Sequence, residues 1–139
     1  NIFKDTSSST INLIDENTKY FKRKKKLMTF LSGSENFVMD KQLIEVQNLS
    51  EFIKNKNINK IDILKIDTEG YEYNVLLGLK ESDFKNIHFI YFEHHYDLMI
   101  KKEYKFNDIN RILINNNFKQ KFKVKMKFRK TFEYIYEKS

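Results

Sequence analysis

Ile61-Asp62-Ile63-Leu64-Lys65-Ile66-Asp67-Thr68-Glu69-Gly70-Tyr71-Glu72 is the stretch on which the fold turns. Ile61, Ile63, Leu64 and Ile66 are too closely spaced for a strand wet on one face, so Ile61 to Asp67 is predicted as a central parallel strand covered on both sides. Tyr71 to Leu79 follows with Val75, Leu76 and Leu79 on one helical stripe and Gly78 near the end, where helices commonly stop. Ile87 to Glu93 repeats the buried-strand pattern through Ile87, Phe89, Ile90 and Phe92. A second helix is expected from Asn107 as cap, with Ile109, Ile112 and Leu113 at helical spacing, ending at Asn115-Asn116-Asn117. Strand, helix, strand, helix is the rhythm of an α/β fold.

Outward from this centre the patterns change. Upstream, Leu43 to Val46 reads as a strand and Leu49 to Ile53 as a short helix capped by Ser50. The first forty or so residues read as irregular: a turn at Thr6 to Thr10, a short strand at Thr10 to Ile14, a solvated basic run at Lys22 to Lys26 and a flexible point at Ser32-Gly33-Ser34. Residues 1–45 are therefore expected to be a surface excursion or insertion. Downstream, Phe118, Phe122, Val124, Met126 and Phe128 alternate with lysines 119, 121, 123, 125 and 127, and Phe132, Tyr134 and Tyr136 give a second alternating run. Period two means β, and the pair predicts an antiparallel hairpin.

The 139 residues allow one folding unit, or part of one, and the apolar content of 40% suffices for a core. Cysteine is absent, which excludes disulfides, thiolate zinc sites and cysteine nucleophiles. No apolar run approaches the ~20 residues of a membrane span, so a soluble, cytoplasmic protein without a membrane partner is expected. The net charge of +7 suggests an anionic partner. Abundant Lys, Asn and Ile beside the absence of Pro, Trp and Ala instead match an AT-rich coding sequence. Nucleic acid is accordingly not expected as a partner, and the lysine face of the hairpin reads as a solvated strand face that also discourages edge aggregation. The chain begins at Asn1 and is expected to be a fragment.

Ligands in open α/β sheets lie beyond the carboxyl ends of the strands, where Asp67 and Glu69 close one strand and Glu93-His94-His95 the other. Two acidic strand ends are expected to converge. Glu69 and Glu72 have a plainer reading, since carboxylates at a helix N-terminus gain ~0.3 to 1 kcal/mol each. Asp67 fits that reading less well, because an acid closing an apolar strand costs solvation unless it has a partner. Neighbouring strand residues point to opposite faces, so only one of His94 and His95 can face the crevice. Such a set could hold Mg²⁺ or Mn²⁺, but its spacing matches no standard metal loop, and no metal ligand is assigned.

The stretch Ile61 to Glu72, followed by Val75-Leu76 and Gly78-Leu79, resembles the signature of the FkbM family of S-adenosylmethionine-dependent methyltransferases. Val46 to Ile53 resembles the segment before that signature, Tyr91-Phe92-Glu93-His94 resembles the next strand, and a weaker match runs through Ser7-Ser8-Ser9. The resemblance implies a Rossmann-like class I methyltransferase sheet, with Ile61 to Asp67 as its fourth strand, Ile87 to Glu93 as its fifth, and the terminal hairpin as its sixth and seventh. The only glycines are Gly33, Gly70 and Gly78, so the family's glycine-rich cofactor loop has no counterpart, and the N-terminal half of the domain is expected to be missing. Residues 46–139 are thus expected to form a partial Rossmann-like sheet, the C-terminal half of such a domain, inactive alone. The resemblance implies S-adenosylmethionine as cofactor and a sugar or metabolite hydroxyl as acceptor, hence O-methylation. It implies Asp67 near the methionyl group and methyl, Glu69 lining the acceptor pocket, and Glu93 or His94 as base. The competing reading is a non-catalytic basic module on the same fold, binding nucleic acid or an anionic surface.

Overall fold

The structure is a computed structural model that describes residues 2–3, 9–32, 38–40, 43–127 and 129–139. A four-stranded mixed sheet organises the chain, built from β3 (Ile61–Ile66), β4 (Ile87–His95), β5 (Phe118–Lys125) and β6 (Thr131–Lys138). Its order is β3-β4-β6-β5. β3 and β4 are parallel, with Ile63 opposite Phe89 and Ile66 opposite Phe92, whereas β6 runs antiparallel to both β4 and β5. The hairpin therefore forms as expected, and its second strand lies inside the sheet.

One sheet face carries the core. Ile66, Ile90, Phe92, Tyr134 and Tyr136 pack in one cluster with Ile53 of α2 (Leu49–Asn55), Leu76 of α3 (Glu72–Leu77), Phe84 of α4 (Glu81–Lys85) and Ile109 and Leu113 of α5 (Phe106–Asn115). Aromatic stacking orders its centre: Phe92 lies 5.3 Å from Tyr134 and 5.8 Å from Tyr136, and Phe106 lies 4.4 Å from Tyr134, all between ring centroids. Full burial of such rings is worth roughly 1.5 to 3 kcal/mol each. On the opposite face Phe89, Tyr91 and Ile135 are half-buried, and Phe122 and Val124 of β5 are exposed.

Several expectations need correction. β3 is an edge strand, since among the described residues only β4 lies beside it, and Ile63 is 62% exposed. Its aliphatic run marks a strand with material for two covered faces, of which only Ile66 is fully buried. Leu43 to Val46 forms no strand, and Leu43, Ile44 and Val46 are exposed. A strand exists only through a neighbour that satisfies its backbone, and no described strand lies alongside this segment.

Nor is the N-terminal region irregular throughout. A helix, α1 (Lys19–Ser32), absorbs the basic run. Thr18 caps it by accepting the Phe21 N–H at 3.2 Å, and Phe21 is buried with Met99 and Ile100 while Met28 packs alongside. Lysine and arginine are good helix formers, so a run that repels itself in isolation is helical once one face finds apolar partners. Among the described residues Thr10 to Ile14 contributes a single bridge, Ile14 to Ile100. A small antiparallel pair joins β1 (Ile2–Phe3) to β2 (Val38–Asp40). Gly33 and Ser34, and Thr6 to Ser8, lie outside the described residues.

The caps also differ from expectation. Asn48, not Ser50, caps α2, its side chain accepting the N–H groups of Ser50 and Glu51. Ser50 instead donates to Asp83 at 2.5 Å, tying α2 to α4. In α5 the capping contact is Asp108 accepting the Lys105 N–H at 2.8 Å, and Asn107 falls inside the first turn. No described helix is long and apolar enough to cross a membrane.

Candidate functional site

β3 delivers the chain into the loop Asp67 to Tyr71, where two consecutive residues have left-handed backbone, Glu69 at φ 49° and Gly70 at φ 100°. For Glu69 this costs roughly 1 to 2 kcal/mol. The loop is held from several sides. The Glu72 carboxylate accepts the Gly70 N–H at 2.7 Å, the Thr68 hydroxyl at 3.2 Å and the Tyr104 hydroxyl at 2.5 Å. The Thr10 hydroxyl donates to the Glu69 carbonyl at 2.7 Å, and the Asn12 amide donates to the Gly70 carbonyl at 2.6 Å. A Cβ at position 70 would sit 2.6 Å from Ile100 Cγ2 and 2.9 Å from Asn12 Nδ2. Gly70→Ala is therefore expected to cost about 3 kcal/mol, combining backbone strain with displacement of both neighbours, read as a lowered urea midpoint.

β4 ends beside this loop. Alternation along the strand puts Glu93 and His95 on the face opposite Phe92 and His94. His95 Nε2 lies 3.0 Å from Glu69 Oε2 and 3.3 Å from Glu93 Oε1. On the other side of the ring, Nδ1 lies 3.2 Å from the Thr131 hydroxyl and 3.6 Å from Asp97 Oδ2. Glu93 Oε1, His95 Nε2 and Asp97 Oδ2 are buried without an aligned hydrogen bond, so these contacts act as ion pairs. The Lys102 ammonium donates to the His95 carbonyl.

Electrostatics follow from this packing. Burial alone would lower the His95 pKa, but the contacts with Asp97 and Glu69 and the charges of Glu69 and Glu93 push it up to about 9. Burial pushes Glu93 above the ordinary carboxylate range, with His95 opposing and Asp67 and Glu69 reinforcing the rise. Burial also pushes on Asp97, yet His95 and the Met99 N–H outweigh it and hold that group low. Three carboxylates around one imidazolium leave the cluster with excess negative charge.

The residues read from the sequence thus separate. Glu69 and Glu93 meet through His95. Asp67 is partly exposed and pairs with Lys65 at 3.1 Å, close enough for its charge to raise Glu93. His94 points the other way, with its ring 4.8 Å from Tyr96, 5.8 Å from Phe106 and 5.9 Å from Tyr104, and burial drives its pKa down to about 3. It packs among these rings while also lining a cavity with His95, and His95 is the histidine of the carboxylate cluster. Asp97, Thr131 and Lys102 belong to the surroundings and escaped the sequence reading. Only Asp97 had a signal, two residues beyond His95, and a loop aspartate at that spacing is indistinguishable from a turn residue. Among the described residues no group of three or more His, Asp or Glu side chains is arranged to hold a metal ion.

Two cavities lie near the site, the first against the loop, and neither wall includes Asp67, Glu69 or Glu93. One, of about 740 Å³, is lined by Asn12, Gly70, Tyr73, Lys102 and Tyr104, among others. The second, of about 760 Å³, includes Asp15, His94, His95, Asp97, Lys102 and Phe106 in its wall. Lys101, Lys102 and Tyr104 line both.

Residues 4–121 match the family model described as the methyltransferase FkbM domain, a match that reaches well upstream of Val46 and ends within β5. No curated protein and no solved structure matches the chain. Matched over most of its length, the chain belongs to the methyltransferase FkbM family, and that membership implies an S-adenosylmethionine-dependent methyltransferase.

Proposed function

We propose that this chain supplies the C-terminal half of a methyltransferase domain that O-methylates a hydroxyl group of a sugar or metabolite, with Glu93 as base. The carrying observation is the meeting of Glu69 and Glu93 around His95 at the carboxyl ends of two adjacent parallel strands. Crevices at such ends are the usual ligand sites of open α/β sheets. The open edge of β3 and the exposure of Ile63 support completion of the sheet by further strands on that side.

The cofactor of the family is a cation at its sulfonium and ammonium groups, and the excess negative charge at Asp67, Glu69 and Glu93 suits that end of it. When bound, it supplies an electrophilic methyl group. Asp67, partly exposed beside the cluster, would hold the ammonium. Glu93, whose affinity for a proton is raised by burial, would take the proton of the acceptor hydroxyl. His95, protonated below about pH 9, keeps two carboxylates apart and orients Glu93. The base role is given to Glu93 because His94, packed between Tyr104 and Phe106, is held by burial near pKa 3.

In the full-length protein Glu93→Gln is expected to reduce methyl transfer roughly 100-fold with cofactor affinity little changed. Asp67→Asn is expected to weaken cofactor binding and turnover together. Unchanged turnover in either variant would remove that residue from the mechanism. The 139-residue chain alone is expected to show no micromolar binding of S-adenosylmethionine by calorimetry, and finding it would overturn the half-domain reading. The basic hairpin gives the competing reading little support, since Lys121 pairs with Glu137 at 2.7 Å and Lys123 lies 4.6 Å over the Phe132 ring.

A further inference from the structure

The backbone of Glu69 and Gly70 is unfavourable for a free loop, and the contacts that hold it come from two sources. Glu72 acts from within the segment, through the Gly70 N–H. Thr10 and Asn12 act from nearly sixty residues away, each donating a side-chain hydrogen bond to one of the two left-handed carbonyls. The Thr10 hydroxyl also accepts the Asn12 N–H at 3.1 Å, which fixes the two donors relative to each other. Beyond them the same segment is laced to the loop after β4: the Asp15 N–H donates to the Met99 carbonyl at 2.7 Å, and the Lys101 N–H donates to the Leu13 carbonyl at 2.9 Å. Asn12 occupies the space that a side chain at position 70 would fill.

We infer that Thr10 and Asn12 are positioning residues, a strap that holds Glu69 and Gly70 in their left-handed backbone and so aims the Glu69 carboxylate at His95. With the strap cut, Glu69 relaxes toward ordinary backbone angles and its carboxylate leaves the 3.0 Å contact. Glu93, Asp97 and Thr131 stay on β4, the following loop and β6, so the imidazole keeps part of its surroundings. The inference concerns how the loop is held, and it rests on the proposed function only for its catalytic consequence.

The test reads His95 directly. Only three histidines, His88, His94 and His95, need to be resolved by NMR titration of the full chain. The wild type is expected to titrate at His95 near pH 9. Thr10→Val with Asn12→Leu is expected to lower that midpoint by roughly one pH unit or more, the usual scale for losing a close opposite charge. Thr10→Ser, which keeps the hydroxyl, is expected to retain the wild-type midpoint. Asn48→Ala, which removes the cap of α2, serves as a destabilised control with an unmoved His95. Should the double variant not fold, Thr10→Val alone against Thr10→Ser carries the comparison. A His95 midpoint in Thr10→Val equal to that in wild type overturns the strap, whatever the outcome of cofactor-binding experiments, which bear on the proposed function alone.

Discussion

Replacing Glu72 by alanine is expected to lower the free energy of unfolding by about 4 kcal/mol, the largest loss among single substitutions in the loop region. Its side chain is completely buried, and the carboxylate is the shared acceptor for the Gly70 N–H, the Thr68 hydroxyl and the Tyr104 hydroxyl. Alanine leaves those donors facing a cavity, and each buried unpaired donor costs roughly 1 to 3 kcal/mol. Urea denaturation of Glu72→Ala, Tyr104→Phe and the double variant isolates the 2.5 Å hydrogen bond between them. Strict additivity of the two single losses would refute the coupling. Glu51→Ala, on the exposed side of α2, is expected to change stability by less than ~0.5 kcal/mol and calibrates the comparison.

A stability optimum close to neutral pH, with losses on both sides, is the second large effect. His94 and His95 are consecutive on β4, and their faces shift them in opposite directions. His94 is held near pKa 3 in the folded chain against an ordinary value of 6.5. Below pH 6.5 the unfolded chain therefore takes up a proton that the folded chain refuses, and stability falls by up to about 4 kcal/mol toward pH 3. His95 titrates near 9 in the folded chain. Its contribution is complete below pH 6.5 and is lost as pH rises through 9, a change of about 3 kcal/mol. Urea midpoints across pH 4 to 10 should trace both limbs. His94→Phe is expected to flatten the acid limb alone and His95→Asn the alkaline limb alone; an acid limb that survives His94→Phe undiminished would place its origin elsewhere.

Much of the site was legible because its determinants are local. The run from Ile61 to Glu72 encodes a strand, a tight loop with Gly70 and a helix start, and all three lie where the pattern puts them. Alternation on β4 put only one histidine beside the carboxylates, although both His94 and His95 line the second cavity, and which one meets Glu69 and Glu93 is carried by no pattern within the strand. The same limit explains Leu43 to Val46 and β3. Apolar content reports what a segment could bury, whereas its partners decide what it does bury. α1 was missed because charge repulsion along Lys22 to Lys26 is visible in sequence, while the Phe21 contacts with Met99 and Ile100 are long-range. Asn48 displaced Ser50 as cap for a related reason: Ser50 had a distant competitor, Asp83.

The place of β6 between β4 and β5 has a consequence for the order of synthesis. β5 pairs only with β6 among the described strands, and the fully buried rings of Tyr134 and Tyr136 lie on β6. A nascent polypeptide emerging from the ribosome would thus carry β4 with an open flank and β5 with no ladder until residues 131–138 have left the exit tunnel. The earlier segments must wait for the later one to be locked together, so closure of this sheet follows the emergence of β6.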